Sequence, residues 1–149
     1  MTVINIIKTK IGLIKIVSYK NYIYSVEFLD NNNTQPIIVN NDLALDINNY
    51  FKSKTTEFLS KYKLVGTPFE KKVWDEIIKI PYGKTKTYGD IAKAIGQPNA
   101  YRAVANACGK NKIALIVPCH RVIGKTNKGG YKWGTDKKEW LLDFEKQNS

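Results

Sequence analysis

Ile116-Val117-Pro118-Cys119-His120-Arg121-Val122-Ile123-Gly124 joins one of the chain's two cysteines to its single histidine, with a proline before the pair and one of two arginines after it. A free thiol titrates near ~8.5, so it is mostly protonated at neutral pH and needs a base to become a nucleophile. Adjacency alone does not supply that base, because neighbouring side chains on a regular strand point to opposite faces. Pro118 removes a backbone donor and holds Val117 extended. The stretch therefore reads as a buried strand that ends at Val117 and breaks at Cys119, with the thiol facing a cleft. His120 then acts through a turn or a bridging water, oriented by a third group from elsewhere in the chain.

A chain of 149 residues buries about two thirds of its unfolded surface, enough for one core or two small lobes. Its apolar runs are strand-sized, so the expectation is no signal peptide, no membrane span and a cytoplasmic location. Two cysteines do not make a disulfide framework, and a reducing compartment keeps Cys119 as a thiol. The formal charge of +11 favours a polyanionic partner such as nucleic acid. Lysine dominates the basic residues and the chain is rich in Asn and Ile, a bias that a low-GC genome also produces. Against that background Arg102 and Arg121 stand out.

Residues 2 to 30 read as a meander of β-branched and aromatic strands (Ile4 to Ile7, Ile11 to Val17, Tyr22 to Leu29) broken at Thr9-Lys10 and Lys20-Asn21. Asn31 to Asn33 with Pro36 forms a loop, and Leu43, Ile47, Tyr50 and Phe51 recur at helical spacing. From Thr67 the texture changes. Thr67-Pro68-Phe69-Glu70 is a capping box with proline at the first helical position, followed by Val73, Trp74, Ile77 and Ile78 on one face. Thr87 caps a second helix that stops at Gly96, and a short turn leads into a third helix running to Ala107. The pair makes a helix-turn-helix pattern, which compact helical corners unrelated to DNA also show. Its third helix is slim, with Ala100, Ala103, Ala105 and Ala107 and Arg102 as its one long cation. That suits a minor groove better than base-edge reading in the major groove, although a tightly packed core helix looks the same.

In this order, the helix-turn-helix with Tyr88 and Arg102, then Asn111, the Pro-Cys-His-Arg core, Gly129-Gly130-Tyr131 and Lys138-Glu139-Trp140-Leu141-Leu142-Asp143-Phe144-Glu145 resemble the O6-alkylguanine-DNA alkyltransferase family over roughly residues 67 to 146. The resemblance implies an α/β (α+β) fold: a ribonuclease H-like sheet-and-helix scaffold lobe over residues 1–65, and a helix-turn-helix, winged-helix-like domain over 66–149 that binds DNA and accepts the alkyl group. It implies DNA repair by a monomer that transfers the alkyl group of O6-alkylguanine, and of O4-alkylthymine, in double-stranded DNA to its own Cys119 in one turnover, without cofactor or metal. Cys119, His120, Glu145 and Asn111 would form the catalytic set, with Glu145 holding His120 and Asn111 tying the hinge before the active-site strand. Arg102 would fill the gap left by the flipped base, Tyr88 would crowd the phosphate, and Ala103 and Ala100 would lie against the groove. Tyr131, Val122, Lys132 and Trp133 would form the base pocket, and Arg121 would anchor the loop. Tyr88 also reads as a core aromatic, or as a residue at a helix start whose backbone donors favour a phosphate.

Trp133 stands where relatives often carry a small residue, and Ala114 where some carry proline, which bears on bulky adducts. Tyr101 and Asn106 are larger than their counterparts. Other classes fit less well. Cys108, Cys119 and one histidine, without a Cys-x-x-Cys pair, fall short of a four-ligand zinc site, and Cys108 reads as a small buried hydrophobe. A papain-like hydrolase needs a distant histidine that the chain lacks. The remaining alternative is a binder without chemistry, either an alkyltransferase-like lesion recogniser or a helix-turn-helix regulator; retention of Cys119 argues against it.

Overall fold

The first three strands form an antiparallel meander, β1 (Thr2–Thr9), β2 (Gly12–Tyr19) and β3 (Tyr22–Phe28), in the order β1-β2-β3. Lys20 and Asn21 both take positive φ, 51° and 66°, the left-handed pair that a two-residue hairpin needs to match strand twist. Isolated bridges extend the sheet, from Ile6 to Ile37 on the β1 side and from Ile23 to Tyr62 and Val26 to Ile113 on the β3 side, so its edges are partly covered. Helix α1 (Asn41–Phe51) contributes Ala44, Ile47, Tyr50 and Phe51 to a core shared with Ile7, Ile14, Ile16, Ile23 and Val26. Buried Asp46 accepts from the backbone of Leu59 and Ser60 and from the Ser60 hydroxyl, which ties the segment after the helix to it.

This computed structural model describes residues 1–30, 33–39 and 41–149, with the backbone alone at Asn41 and Leu43. The loop expected at Asn31 and Asn32 and the inward Leu43 side chain lie outside the described residues.

The chain divides into one compact unit of Met1–Leu64 with Lys112–Ala114, and another of Val65–Asn111 with Leu115–Ser149. A single cut after residue 65 misses the short segment Lys112–Ala114. Its backbone pairs with Val26 of β3, a long-range choice that no local pattern records.

In the second unit α2 (Pro68–Ile78) begins with the full capping box: Glu70 N donates to Thr67 Oγ1 at 3.1 Å and Thr67 N to the Glu70 carboxylate at 2.9 Å. Thr87 and Asp90 repeat the device at the start of α3 (Tyr88–Ala94). A turn through Gly96, at φ +79°, leads to α4 (Tyr101–Gly109), with Ala100 as its cap residue. Val104 and Ala107 of α4 are buried, and the Ala107 carbonyl accepts from the Trp74 indole of α2 at 2.9 Å. The chain ends in α5 (Thr135–Gln147).

The strand expected to end at Val117 is not there. Ile113 makes one bridge, after which the chain turns at Leu115 (φ 69°) and enters a 3-10 turn at Cys119–Arg121. The strand comes after the cysteine: β5 (Val122–Ile123) pairs in parallel with β4 (Lys86–Thr87). Residues 113–118 are all buried, and a continuous apolar run of that kind reads as a buried strand whatever its backbone does. Replacing Thr67 with Ala removes one half of the α2 capping box; the expected cost is about 1 kcal/mol, read as a lower urea midpoint with unchanged slope.

Candidate active site

A buried carboxylate organises the site. Glu145 on α5, 1% exposed, receives Arg121 Nε on Oε1 at 2.7 Å and Arg121 Nη2 on Oε2 at 2.9 Å, while His120 Nε2 meets Oε2 at 2.7 Å. Arg121 Nη1 continues to the Ile80 carbonyl at 2.9 Å, and Gly83 N donates to Oε1 at 3.3 Å. Burial pushes the carboxyl up, but the hydrogen bonds and charges of His120 and Arg121 outweigh it and hold Glu145 well below the usual carboxylate range. Burial lowers His120, against the hydrogen bond and charge of Glu145 that raise it, so the imidazole is neutral at pH 7. An ionised carboxylate can only accept, which places the ring proton on Nε2 and leaves Nδ1 as a bare lone pair. That Nδ1 is buried with no hydrogen-bond partner among the described residues.

Cys119 opens the 3-10 turn that also carries His120 and Arg121, so the local backbone gives the three neighbours different directions without a strand's alternation. Asn111 braces the approach, donating from Nδ2 to the Val117 carbonyl at 3.0 Å. The Cys119 thiol is pushed well above its ordinary range, first by its hydrogen bond to Cys108, then by burial and the Cys108 charge. Asn111 and Lys138 pull it the other way. The resting group is therefore a neutral thiol beside a neutral imidazole.

Cys119 lines a cavity of about 320 Å³ together with Tyr88, Ala105, Cys108, Gly109, Gly130, Tyr131 and Lys132. Val122 and Trp133, expected in a pocket, are not among these lining residues. Val122 is buried and its carbonyl accepts from Lys138 at 2.6 Å; the Trp133 ring stands edge-on to Tyr131 with centroids 5.3 Å apart. The Tyr131 hydroxyl is buried without a hydrogen-bond partner among the described residues, and burial raises its pKa well above the ordinary value, with smaller contributions from Cys119 and Glu145. Tyr88 is pushed up to about 12 by burial, then by Cys108 and Cys119, so its phenol stays a donor. Gly129, at φ +75°, lies so close to the Tyr88 hydroxyl that a Cβ there would overlap it.

Lys138 is the functional residue that sequence reasoning overlooked. It reads as one more lysine of a charged helix, yet it is 1% exposed. Its Nζ donates to the carbonyls of Val122 and Gly130 at 2.6 and 2.9 Å and sits 5.7 Å from the Tyr88 ring centroid. Burial lowers it to about 8, against the raising effect of Cys108 and Cys119. One ammonium thus joins β5, the Gly130–Tyr131 wall and Tyr88. The only available signal was its spacing from Leu141 and Glu145 on the inner face of the helix.

Two further expectations are corrected and one is extended. Cys108 is not a fully buried hydrophobe; it is half-buried and lines the cavity beside Cys119. Arg121 grips Glu145 with two nitrogens as well as anchoring the turn to Ile80. The start of α3 is no phosphate cradle, because Thr87 and Asp90 fill its cap and Asp90, lowered chiefly by its backbone hydrogen bond to Thr87, brings a negative charge. On α4, Tyr101, Arg102, Ala103 and Asn106 are exposed, with the Arg102 guanidinium 5.9 Å from the Tyr101 ring centroid. Among the described residues no helix is long and apolar enough to cross a membrane, and no group of three or more His, Cys, Asp or Glu side chains could hold a metal ion.

Residues 68–147 match the family described as 6-O-methylguanine DNA methyltransferase, DNA binding domain. The chain is 54% identical over 149 residues, 98% of each sequence, to a probable methylated-DNA–protein-cysteine methyltransferase of Acanthamoeba polyphaga mimivirus. Among solved structures, Mycobacterium tuberculosis O6-methylguanine methyltransferase superposes with a TM-score of 0.91 at 36% identity, covering 100% of this chain and 95% of that one. The M. tuberculosis OGT in complex with DNA gives 0.88 at 35% identity, covering 98% and 94%.

The folded-state pKa values of His120 and Glu145 both lie below their ordinary values of 6.5 and 4.5. The unfolded chain therefore takes up protons first, and stability is lost as pH falls, through His120 below pH 6.5 and then through Glu145 below pH 4.5. Glu145→Gln leaves a buried guanidinium without its counter-charge. The expected result is a loss of about 3 to 5 kcal/mol at neutral pH and disappearance of the carboxylate step, both read from denaturation curves taken across pH.

Proposed function

This chain belongs to the 6-O-methylguanine DNA methyltransferase family, and we propose from that premise that it repairs DNA by transferring the alkyl group of O6-alkylguanine to Cys119. O4-alkylthymine, with the same alkoxy carbon on an aromatic ring, is its second substrate. The observation that carries the reading is the thiol at a cavity, next to a neutral imidazole whose free Nδ1 faces away from the carboxylate holding Nε2. Nδ1 takes the Cys119 proton through a water. The sulfur attacks the alkyl carbon in line, the carbon–O6 bond breaks, the guanine leaves and regains a proton, and a thioether remains. No step regenerates the thiol, so the protein turns over once.

A thiol held protonated at rest is slow toward stray electrophiles, and the base must be delivered before the reaction runs. The target atom lies inside the duplex, so the nucleotide is extruded. Arg102, on the exposed face of a slim helix, enters the stack, while exposed Ala103 and cap residue Ala100 let the backbone approach the minor groove. A cavity of about 320 Å³ lies at the small end of ligand sites and suits one flat base. The Tyr88 and Tyr131 hydroxyls, both kept protonated by burial, are its hydrogen-bond donors, and the backbone of Lys132 and Cys119 meets the base edge. Asn111 and Lys138 position the turn and the wall without touching the reacting atoms. The charge of +11 supplies sequence-independent affinity for phosphates, which salt weakens. Residues 1–65 serve as scaffold.

Intact-mass analysis after mixing the protein with an equimolar duplex containing O6-methylguanine should show one methyl gained, on the peptide holding Cys119. A folded, reduced sample that binds the duplex and gains no mass is a binder without chemistry. Cys119→Ala should abolish transfer and retain binding. Arg102→Ala should slow repair of the duplex far more than transfer from a free alkylated base; equal losses on both count against extrusion.

A further inference from the structure

Cys108 has no part in the chemistry above, yet it lines the same cavity of about 320 Å³ as Cys119, and it is the foremost influence raising the Cys119 thiol. Both are free thiols, Cys119 buried and Cys108 half-buried. Cys108 lies in the last turn of α4 and Cys119 opens the 3-10 turn, so the two thiols reach the cavity from different elements. A disulfide requires the two sulfurs to meet at ~2 Å, and the cavity that both residues line gives them a common space in which to do so. A partly exposed thiol is the one a small oxidant meets first, and a second thiol on the same cavity is what turns its oxidation into a reversible cap instead of irreversible damage.

We propose that Cys108 and Cys119 form a reversible disulfide under hydroperoxide stress, which takes the acceptor thiol out of use and shields it from overoxidation. The Cys108 sulfur attacks the peroxide, the O–O bond breaks, and a sulfenic acid and one water result. The Cys119 sulfur then attacks the sulfenic sulfur; the S–S bond forms, the S–O bond breaks, and hydroxide leaves with the thiol proton as a second water. Two thiols are oxidised by two electrons and one hydrogen peroxide is reduced. A dithiol reverses the step. Alkylation of Cys119 forecloses it, because a thioether sulfur has no proton to lose. The bond itself does not depend on the proposed function; only its consequence for repair rests on that reading.

The test uses the full chain, free of DNA and reductant, exposed to a small excess of hydrogen peroxide. Unreduced intact mass should fall by two hydrogens, both titratable thiols should vanish, and cleavage after Lys and Arg should yield residues 103–110 linked to 113–121. Dithiothreitol should restore both thiols, the original mass and, where the untreated protein accepts methyl, that capacity in full. Cys108→Ser and Cys108→Ala, each compared with its own untreated sample, should instead gain oxygen on Cys119 that prolonged exposure makes irreversible. Oxygen addition to wild-type protein without the cross-link, or a covalent dimer through Cys108, overturns the proposal. So does equal recovery of wild type and the Cys108 variants. A protein that forms the link yet gains no methyl from an alkylated duplex overturns the repair reading and leaves the disulfide standing.

Discussion

The site depends on one buried ion cluster. A carboxylate with 1% exposure is costly to desolvate, and it is tolerated here because Arg121 grips both oxygens and His120 adds a third contact. The same cluster reaches the Ile80 carbonyl beyond α2 and the Gly83 amide. A single side chain on α5 thus ties the end of α2, the turn after it and the Cys119–Arg121 turn to one another. Geometry that loops would otherwise leave loose is set by charges that have no solvent to fall back on.

The cluster also sets protonation. Arg121 neutralises much of the Glu145 charge, so the carboxylate orients His120 without making it cationic, and burial keeps the imidazole neutral. Around the cavity the thiol and both tyrosines are likewise held protonated. Lys138 is the cation nearest to changing state, at about 8. Its placement on two carbonyls and beside the Tyr88 ring makes it a strut of the cavity wall as much as a charge. The arrangement is quiet at rest, which suits a sulfur that the proposed reaction consumes once.

Local signals were legible wherever the physics is local. The capping boxes at Thr67 and Thr87 form as read because donor and acceptor lie within one turn. The meander and the helix of the first unit follow from side-chain period and turn residues in the same way. Val117 is the counter-case: burial on every side erases periodicity, and a segment with a left-handed Leu115 looks like a strand. Asp90 shows a second limit. The residue that completes the α3 cap also removes the phosphate site that an uncapped helix start would offer, and only the hydrogen bonds reveal that it is used that way.

The amino-acid sequence by itself determined the helix starts, the sheet-then-helices order, the Pro-Cys-His-Arg core and the family to which that core points, because these are properties of short windows and residue order. Only the tertiary structure decided which distant groups meet: that Glu145 lies against both His120 and Arg121, that Lys138 is buried beneath Tyr88, and that Cys108 shares a cavity with Cys119. The reason is physical. A lysine or glutamate on an amphipathic helix reads as a solvated charge, and it becomes a structural or reactive group only when packing removes its water and supplies partners from elements far away in the chain.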